Sequence, residues 1–512
     1  MNPMKNLFSY FISEKNKWFD LLIHIFSIII LICGVVTSFH MLLMDPSLHM
    51  DEFSLAENLS TRSLFTLLSE PLINMQSCPA LYLVIVKICT MILGEFGPAM
   101  RLLSTLSYAG ILLLTVIVGK RLFNLRYPFL VVAFLANMEQ MLRYSCMFKQ
   151  YIFEGFCILL ILYLYYLYVT SNRSRKMLIV SCLSYMVLIW VAHPACFFIG
   201  GIVLAELFIS LRNKDKTCAM FAIIIGGGIC ISFLFNYLLW IGNSSTVGGM
   251  QDFWGNNFLQ IFPLSVETLK HNYTLLGDIL YYLALYHPTI EKILILFAVI
   301  GIILLLKKKN PYCLAICAGF ALILFASALH FFPLYTRMWI FAYPLIALLF
   351  FYGIEAICNL VLSKLSVIPY MLCCVIVLFM TLTVNTGIQF FNEPVNVYHN
   401  KEEGNALVEY CHQNIAEDES LFLFSVSRSS LWYTHGYHAT RIGNVSHDNV
   451  LFSTGVAEDD IAMIQDAEKC YIIASFVPDS ELEAFLGSLK EYGTISVPYS
   501  FYNTELYYFE AN

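Results

Sequence analysis

The sequence predicts a polytopic α-helical membrane protein with about eleven transmembrane helices and a small C-terminal α/β domain. Three observations predict it. Of the 512 residues, 59% are hydrophobic and only 13% charged, with a mean hydropathy of +0.71. A soluble chain carries roughly a quarter charged residues, and a charge at mid-bilayer costs about 2.5–3.5 kcal/mol, so the deficit follows if most of the length faces lipid. Apolar runs of about 20 residues, long enough to cross a hydrocarbon core as a helix, recur from Leu21 to about Phe390. From Phe391 onward, acidic and polar residues return. The net charge of −7 identifies no partner, because the charges sit on two sides of a membrane; membrane lipid is an expected partner and nucleic acid is not.

Each element follows in order. Lys15 and Lys17 precede an apolar run over 19–43 that exceeds a signal-peptide core and lacks a clear small-residue cleavage site, so it reads as a retained first helix. Basic clusters at 120–126, 173–176, 212–216 and 307–309 alternate with connections poor in Lys and Arg. The positive-inside rule makes the clusters cytoplasmic and the poor connections external. The stretch 79–94 is short, starts with Pro79 and contains Lys87; if it crossed, every later cluster would change sides, so it reads as an amphipathic or re-entrant helix. The spans expected are 19–43, 100–119, 127–146, 151–170, 177–192, 195–211, 217–240, 291–306, 312–330, 338–358 and 367–389. This gives a transmembrane domain over 1–390 with external loops 44–99 and 241–290. Residues 52–70 in the first loop suit a helix lying along the surface. Residues 391–512 form a soluble extracytoplasmic α/β domain: helices over 401–415 and 479–493, strands over 420–427, 470–476 and 504–511. Most of the sixteen cysteines lie inside apolar runs, where Cys behaves as a small hydrophobe, and a Cys411–Cys470 disulfide is the less favoured reading.

Three stretches have the residue types for chemistry. Asp51 and Glu52 follow the first span; they read either as a solvated pair at a helix start or as catalytic carboxylates. Residues 139–154 bring Glu139, Arg143, Lys149, Tyr151 and Glu154 to one turn near the membrane, as a structural ion pair such as Lys149 with Glu154 or as a water-facing site. Arg337 heads a later span, where it either snorkels to the interface or binds a phosphate. His193 reads first as a helix-end residue, and Trp254 as an interface anchor or loop-packing aromatic. Carboxylates and cations gathered over a membrane suit sugar transfer from a phospholipid: a carboxylate takes the acceptor proton, and cations stabilise the departing phosphate.

In these residues the chain resembles the glycosyltransferase C (GT-C) superfamily, in the family 39-like branch that includes protein O-mannosyltransferases and the aminoarabinose transferases of lipid A. The resemblance lies in Asp51-Glu52, 79-PALY-82, Gly94 with 101-RLLS-104, 143-RYSCMFKQYIFE-154 and 335-YTRMWIFAYP-344, in order across most of the first 350 residues. It implies an inverting transferase of the cytoplasmic membrane with its active site outside. The donor would be a polyprenyl-phosphate-linked sugar, and the acceptor a hydroxyl of a cell-surface glycan, lipid or protein. It implies Asp51 as base, with Glu52 and Glu154 as further catalytic carboxylates. It makes Lys149, Arg143, Arg337, Tyr151 and His193 candidate substrate-binding residues. Two departures stand out: Cys78 occupies a place where His or Lys is common, and Met147 and Phe148 stand where an acidic residue is usual. Members of the family differ over a divalent metal; two acidic sites have the chemistry to share one, Mg or Mn, but no ligand spacing here argues for it. The rival readings are a secondary transporter, which needs mid-bilayer charges and repeated broken helices, and a non-catalytic envelope assembly or sensor protein acting through its tail.

Overall fold

Lipid offers the backbone no hydrogen bonds, so apolar runs within it close their own as helices. The computed structural model describes residues 17–44, 48, 50–72, 76–94, 97–241, 254–284, 286–362, 384–392, 404–425, 427, 441–475, 477–501 and 504–512. Among them, eight helical stretches are long and apolar enough to cross a membrane, and the chain is a multi-pass membrane protein. They lie in α1 (Lys17–Leu43), α5 (Gly97–Leu122), α8 (Tyr151–Thr170), α10 (Ala195–Asn213), α11 (Lys216–Asn236, continued by a π-turn Tyr237–Ile241), α13 (Pro288–Lys307), α14 (Pro311–Ala328) and a 3-10 turn Thr336–Ala342 running into α15 (Tyr343–Leu362). A ninth helix, α9 (Arg175–Val191, 17 residues), packs against α8 and α11. The expected span over 367–389 lies outside the described residues except for a helical segment over 384–392.

The expected span over 127–146 is instead two short helices, α6 (Pro128–Ala136) and α7 (Glu139–Ser145), parted at Asn137. The cause is local. The Tyr108 hydroxyl takes the Ala136 carbonyl, and the Asn137 amide donates to the Ile30 carbonyl of α1 at 3.2 Å. The Ala136 carbonyl at the end of α6 is thus committed sideways, and the Asn137 side chain ties the break to α1. Gly34 lets α1 come this close: a Cβ there would overlap the Ala136 carbonyl.

The first loop folds as α2 (Met50–Thr61), α3 (Leu64–Ser69) and α4 (Ala80–Leu93). α4 has 14 residues, about 21 Å at 1.5 Å per residue, which is short of a ~30 Å hydrocarbon core. Its start, through Cys78, meets the 146–150 turn, as does Glu52, which holds Arg101 near the start of α5. Lys87 within it is buried and donates to the Leu59 carbonyl at 2.6 Å, which is how a lysine is held inside an apolar helix. The basic clusters collect at the opposite end of the bundle. There Glu355 accepts the backbone N–H groups of Arg126 and Tyr127 at 2.8 and 2.9 Å, and Arg173 meets Glu206 at 3.3 Å.

Side chains, not a hydrophobic drive, select helix pairs within lipid, and small residues let backbones approach. α13 and α15 meet at Gly301 and Gly353, where a Cβ would overlap the carbonyls of Leu349 and Phe297.

The C-terminal domain has a five-stranded sheet in the order β4-β1-β5-β7-β6. The strands are β1 (Ser420–Leu423), β4 (Val450–Phe452), β5 (Lys469–Ser475), β6 (Gly493–Phe501) and β7 (Thr504–Ala511), with a separate short pair β2 (Arg441–Ile442) and β3 (Val445–Ser446). β4, β1 and β5 run parallel; β7 is antiparallel to both β5 and β6. Alternation sends Leu421 and Leu423 to one face with helix α16 (Gly404–Asn414), and Phe422 and Phe424 to the other, with α17 (Ala457–Asp466) and α18 (Asp479–Leu489). Cys411 and Cys470 fall in these two separate cores and are free thiols. The expected helix over 479–493 stops at Leu489, and Gly493 opens β6.

Gly353→Leu is expected to destabilise the protein by about 1–3 kcal/mol through overpacking. Loss of monodisperse protein or a lowered melting temperature in detergent checks this, with a conservative lipid-facing variant, Ile293→Leu, as the unchanged control.

Candidate active site

Neighbouring residues on a helix point about 100° apart, so an acidic doublet in one turn of α2 divides. Glu52 turns inward and has no exposed surface. Its carboxylate grips Arg101 of α5, Oε1 to Nε at 2.9 Å and Oε2 to Nη2 at 3.0 Å, and Oε1 also accepts the Phe148 N–H at 2.6 Å. Arg101 is equally enclosed. This two-pronged pair joins α2, α5 and the 146–150 turn. Glu52 therefore departs from its expected place among the reacting carboxylates: both its oxygens are occupied by structure.

Asp51 turns outward. Its Oδ2 accepts from Arg337 Nη1 at 2.6 Å, and the two side chains are 21% and 25% exposed. The guanidinium lies 5.7 Å from the Trp254 ring centre and 5.4 Å from that of Tyr335, and those two rings pack at 4.9 Å. Trp254 is thus a buried packing aromatic that holds Arg337 in place.

The 146–150 turn supplies the next groups. Lys149 is 5% exposed and donates to Gln76 Oε1 at 2.8 Å. Burial holds its proton affinity below the usual lysine range, opposed first by the Asp51 charge, while Arg337 adds to the lowering. The Cys78 thiol sits 3.6 Å from Gln150 Oε1 and burial pushes it up, so it stays a neutral thiol. Glu154, in the first turn of α8, is 3% exposed and accepts the His193 N–H at 3.1 Å. Lys149 and Glu154 therefore each take another partner, and the ion pair between them does not form. His193 sits in the turn between α9 and α10; its Nε2 has no partner and burial lowers its pKa to about 4, leaving a neutral imidazole.

Tyr151 opens α8 and packs edge-on against Tyr144 at 5.4 Å. Arg143 pairs along α7 with Glu139 at 2.7 Å. A small cleft of about 30 Å³, partly open to solvent, is lined by Glu70, Gln76, Cys78, His193 and Trp240 among others, next to the partners of Lys149 and Glu154. Trp240, in the π-turn that ends α11, donates to the Cys78 carbonyl at 2.9 Å and fixes one wall.

The fold thus gathers Asp51, Arg337, Lys149, Tyr151, Glu154 and His193 at one end of the bundle, with Arg143 at the rim and Glu52 beneath. Sequence reasoning gave Arg101, Gln76 and Tyr335 no role. Arg101 carried a signal: an arginine inside an apolar run implies a buried partner. Gln76 carried none. Among the described residues no group of three or more His, Cys, Asp or Glu side chains forms a metal site. With Glu52 committed to Arg101 and Asp51 to Arg337, the doublet does not fit a divalent ion, and no step is derived through one.

No protein-family model and no curated protein sequence matches the chain. Solved structures do. ArnT from Cupriavidus metallidurans, an aminoarabinose transferase, aligns in its apo state with a TM-score of 0.54 at 10% identity, covering 97% of this chain and 98% of that one. The same protein bound to undecaprenyl phosphate aligns with a TM-score of 0.52 at 12% identity, over 94% and 97%. The Archaeoglobus fulgidus oligosaccharyltransferase AglB, in complex with an inhibitory peptide and a dolichol-phosphate, aligns with a TM-score of 0.51 at 10% identity, over 95% of this chain and 74% of that one. Both are GT-C proteins; the fold of this chain is the GT-C fold, as its resemblance implied.

Two outcomes follow from the geometry. Glu52→Ala strands a buried guanidinium and is expected to cost about 3–5 kcal/mol, read as a fall in thermal stability in detergent. In the fold His193 gains its proton near pH 4, and in an unfolded chain near 6.5. Between those values the unfolded chain binds more protons, so stability falls on acidification across that window. His193→Asn flattens this dependence, measured as melting temperature against pH.

Proposed function

We propose that the chain is a membrane glycosyltransferase. It moves a sugar from a polyprenyl-phosphate carrier to an acceptor hydroxyl, with inversion, on the extracytoplasmic side of the cytoplasmic membrane. The observation that carries this reading is the Asp51–Arg337 pair at 2.6 Å, at the mouth of a GT-C fold and beside the buried Lys149. The neighbours support it: one was solved with undecaprenyl phosphate, the other with a dolichol-phosphate. The separation of basic clusters from the site end supports the sidedness.

Asp51 is the base. It takes the proton of the acceptor hydroxyl as that oxygen attacks the anomeric carbon. The bond between the anomeric carbon and the phosphate oxygen breaks on the opposite face, and the electron pair leaves with the polyprenyl phosphate. Arg337 and Lys149 stabilise the charge that develops there. A guanidinium has five N–H donors, and Arg337 places one on Asp51 while its enclosed Nε has no partner. Phosphate oxygens satisfy the remainder, so donor binding draws Arg337 partly from Asp51 and frees the carboxylate for its proton. Glu154, held through the His193 backbone, and Tyr151 shape the wall next to Lys149; Glu52 acts through position, by fixing α2. Arg143 and the His193 imidazole face the substrate from the rim and the cleft.

Deleting the gene is expected to remove a defined mass from one envelope glycan or lipid, and the wild-type chain to restore it. Asp51→Asn, inserted in the membrane at the wild-type level, restores less than a hundredth of it, the scale of a lost general base. Full restoration by Asp51→Asn, read by mass spectrometry, removes Asp51 from the mechanism.

A further inference from the structure

The C-terminal end of α12 (Val266–Leu283) carries a group of tyrosines that the reaction above does not use. The rings of Tyr281, Tyr282 and Tyr286 touch one another, with centroids 6.4, 5.7 and 5.1 Å apart. Tyr286 has φ +62, and its N–H closes the helix end on the Tyr281 carbonyl at 3.0 Å. That left-handed place is ordinarily given to Gly or Asn, because a Cβ there crowds the following carbonyl oxygen. A bulky ring occupies this left-handed position and is accessible: Tyr286 is 36% exposed. Its hydroxyl is held by Gln140 Nε2 of α7 at 3.3 Å.

The surface continues towards the reacting groups. Tyr282 lies within electrostatic reach of Tyr335, Glu139 and Arg143. Tyr335 is 38% exposed and stacks under Arg337, which holds Asp51. Glu139 and Arg143 neutralise each other and keep 25% and 20% of their side chains exposed. The wall therefore presents flat aromatic faces, phenol hydroxyls and one closed ion pair, and ends at the carboxylate.

We infer that this wall is the acceptor subsite and that the acceptor it takes is a carbohydrate. The inference rests on the transferase reading, because the wall leads to Asp51. A sugar ring has an apolar C–H face and a rim of hydroxyls. Aromatic rings cover the face, while phenols, carboxylate, guanidinium and amide pair with the rim. A phosphate acceptor would call for a further cation along the wall, beyond the Arg337 that serves the donor, and the one there, Arg143, is paired with Glu139. A peptide acceptor would call for backbone partners, which side-chain rings do not supply.

Binding tests the subsite without turnover, and so separately from Asp51. Full-length protein in lipid nanodiscs is applied to a printed panel of neutral oligosaccharides, with Ser- and Thr-containing peptides as the second arm. The wild type retains a subset of the oligosaccharides; Tyr282→Ala and Tyr286→Gly lose at least tenfold of that signal. Tyr286→Gly suits the left-handed backbone, so its melting temperature is expected not to fall, and lost binding is then loss of the ring. Equal retention by both variants, retention of peptides alone, or no retained oligosaccharide overturns the proposal. Retention that depends on Tyr286, alongside an active Asp51→Asn chain, upholds the subsite and removes only the catalytic reading.

Discussion

The buried pair of Glu52 and Arg101 is the constraint on which the site depends. Each ion alone would be strongly penalised in so enclosed a place. Together they meet as a planar fork on a carboxylate, with the Phe148 N–H on the same oxygen. Three pieces of chain are thereby fixed relative to one another: the first loop, the start of α5 and the turn that carries Lys149. Asp51 stands where it does because the residue beside it is committed inward. A doublet that looks like duplicated chemistry in the sequence is one buried anchor and one carboxylate turned outward to Arg337.

The electrostatics of the site follow from that arrangement. Lys149 is dehydrated, and what keeps its charge tolerable is first the carboxylate of Asp51. Arg337 competes for the same carboxylate while resting against Trp254 and Tyr335, whose faces favour a cation. Two cations and one outward carboxylate form a set held short of neutrality. Such a set favours a phosphodiester monoanion beside it, and if the proposed transfer takes place, little rearrangement is needed when a second charge develops on the departing oxygen.

Much of this was legible in the sequence because membranes enforce simple rules. Apolar length marked most of the long helices, and 80–93, which the alternation of basic clusters assigned to the interface, is a helix of 14 residues, shorter than the eight long enough to cross. The convergence of Asp51, Lys149 and Arg337 was also readable, since charges in a greasy chain need polar company. What was hidden depended on single side-chain directions. Whether Glu52 points in or out is a matter of helical phase, and the first loop is too mixed in composition to reveal it. The break at Asn137 lay inside an unbroken apolar run, and its cause, a tyrosine hydroxyl and an amide reaching across helices, leaves no local mark. In the tail, β4 and β6 are short or polar-faced and gave little alternation to read.

That break at Asn137 has a consequence for how a greasy substrate is handled. α6 has nine residues, a rise of about 13 Å, less than half of a ~30 Å hydrocarbon slab. The chain then breaks at Asn137, and α7 carries the Glu139–Arg143 pair. If Pro128 marks one face of such a slab, these polar groups lie beneath the head groups of the other face, and the floor of the basin is sunken. A long-tailed carrier would reach such a floor with its first isoprene units still surrounded by acyl chains. The work of lifting oil into water, about 0.8 kcal/mol for every methylene exposed, would be avoided at each turnover.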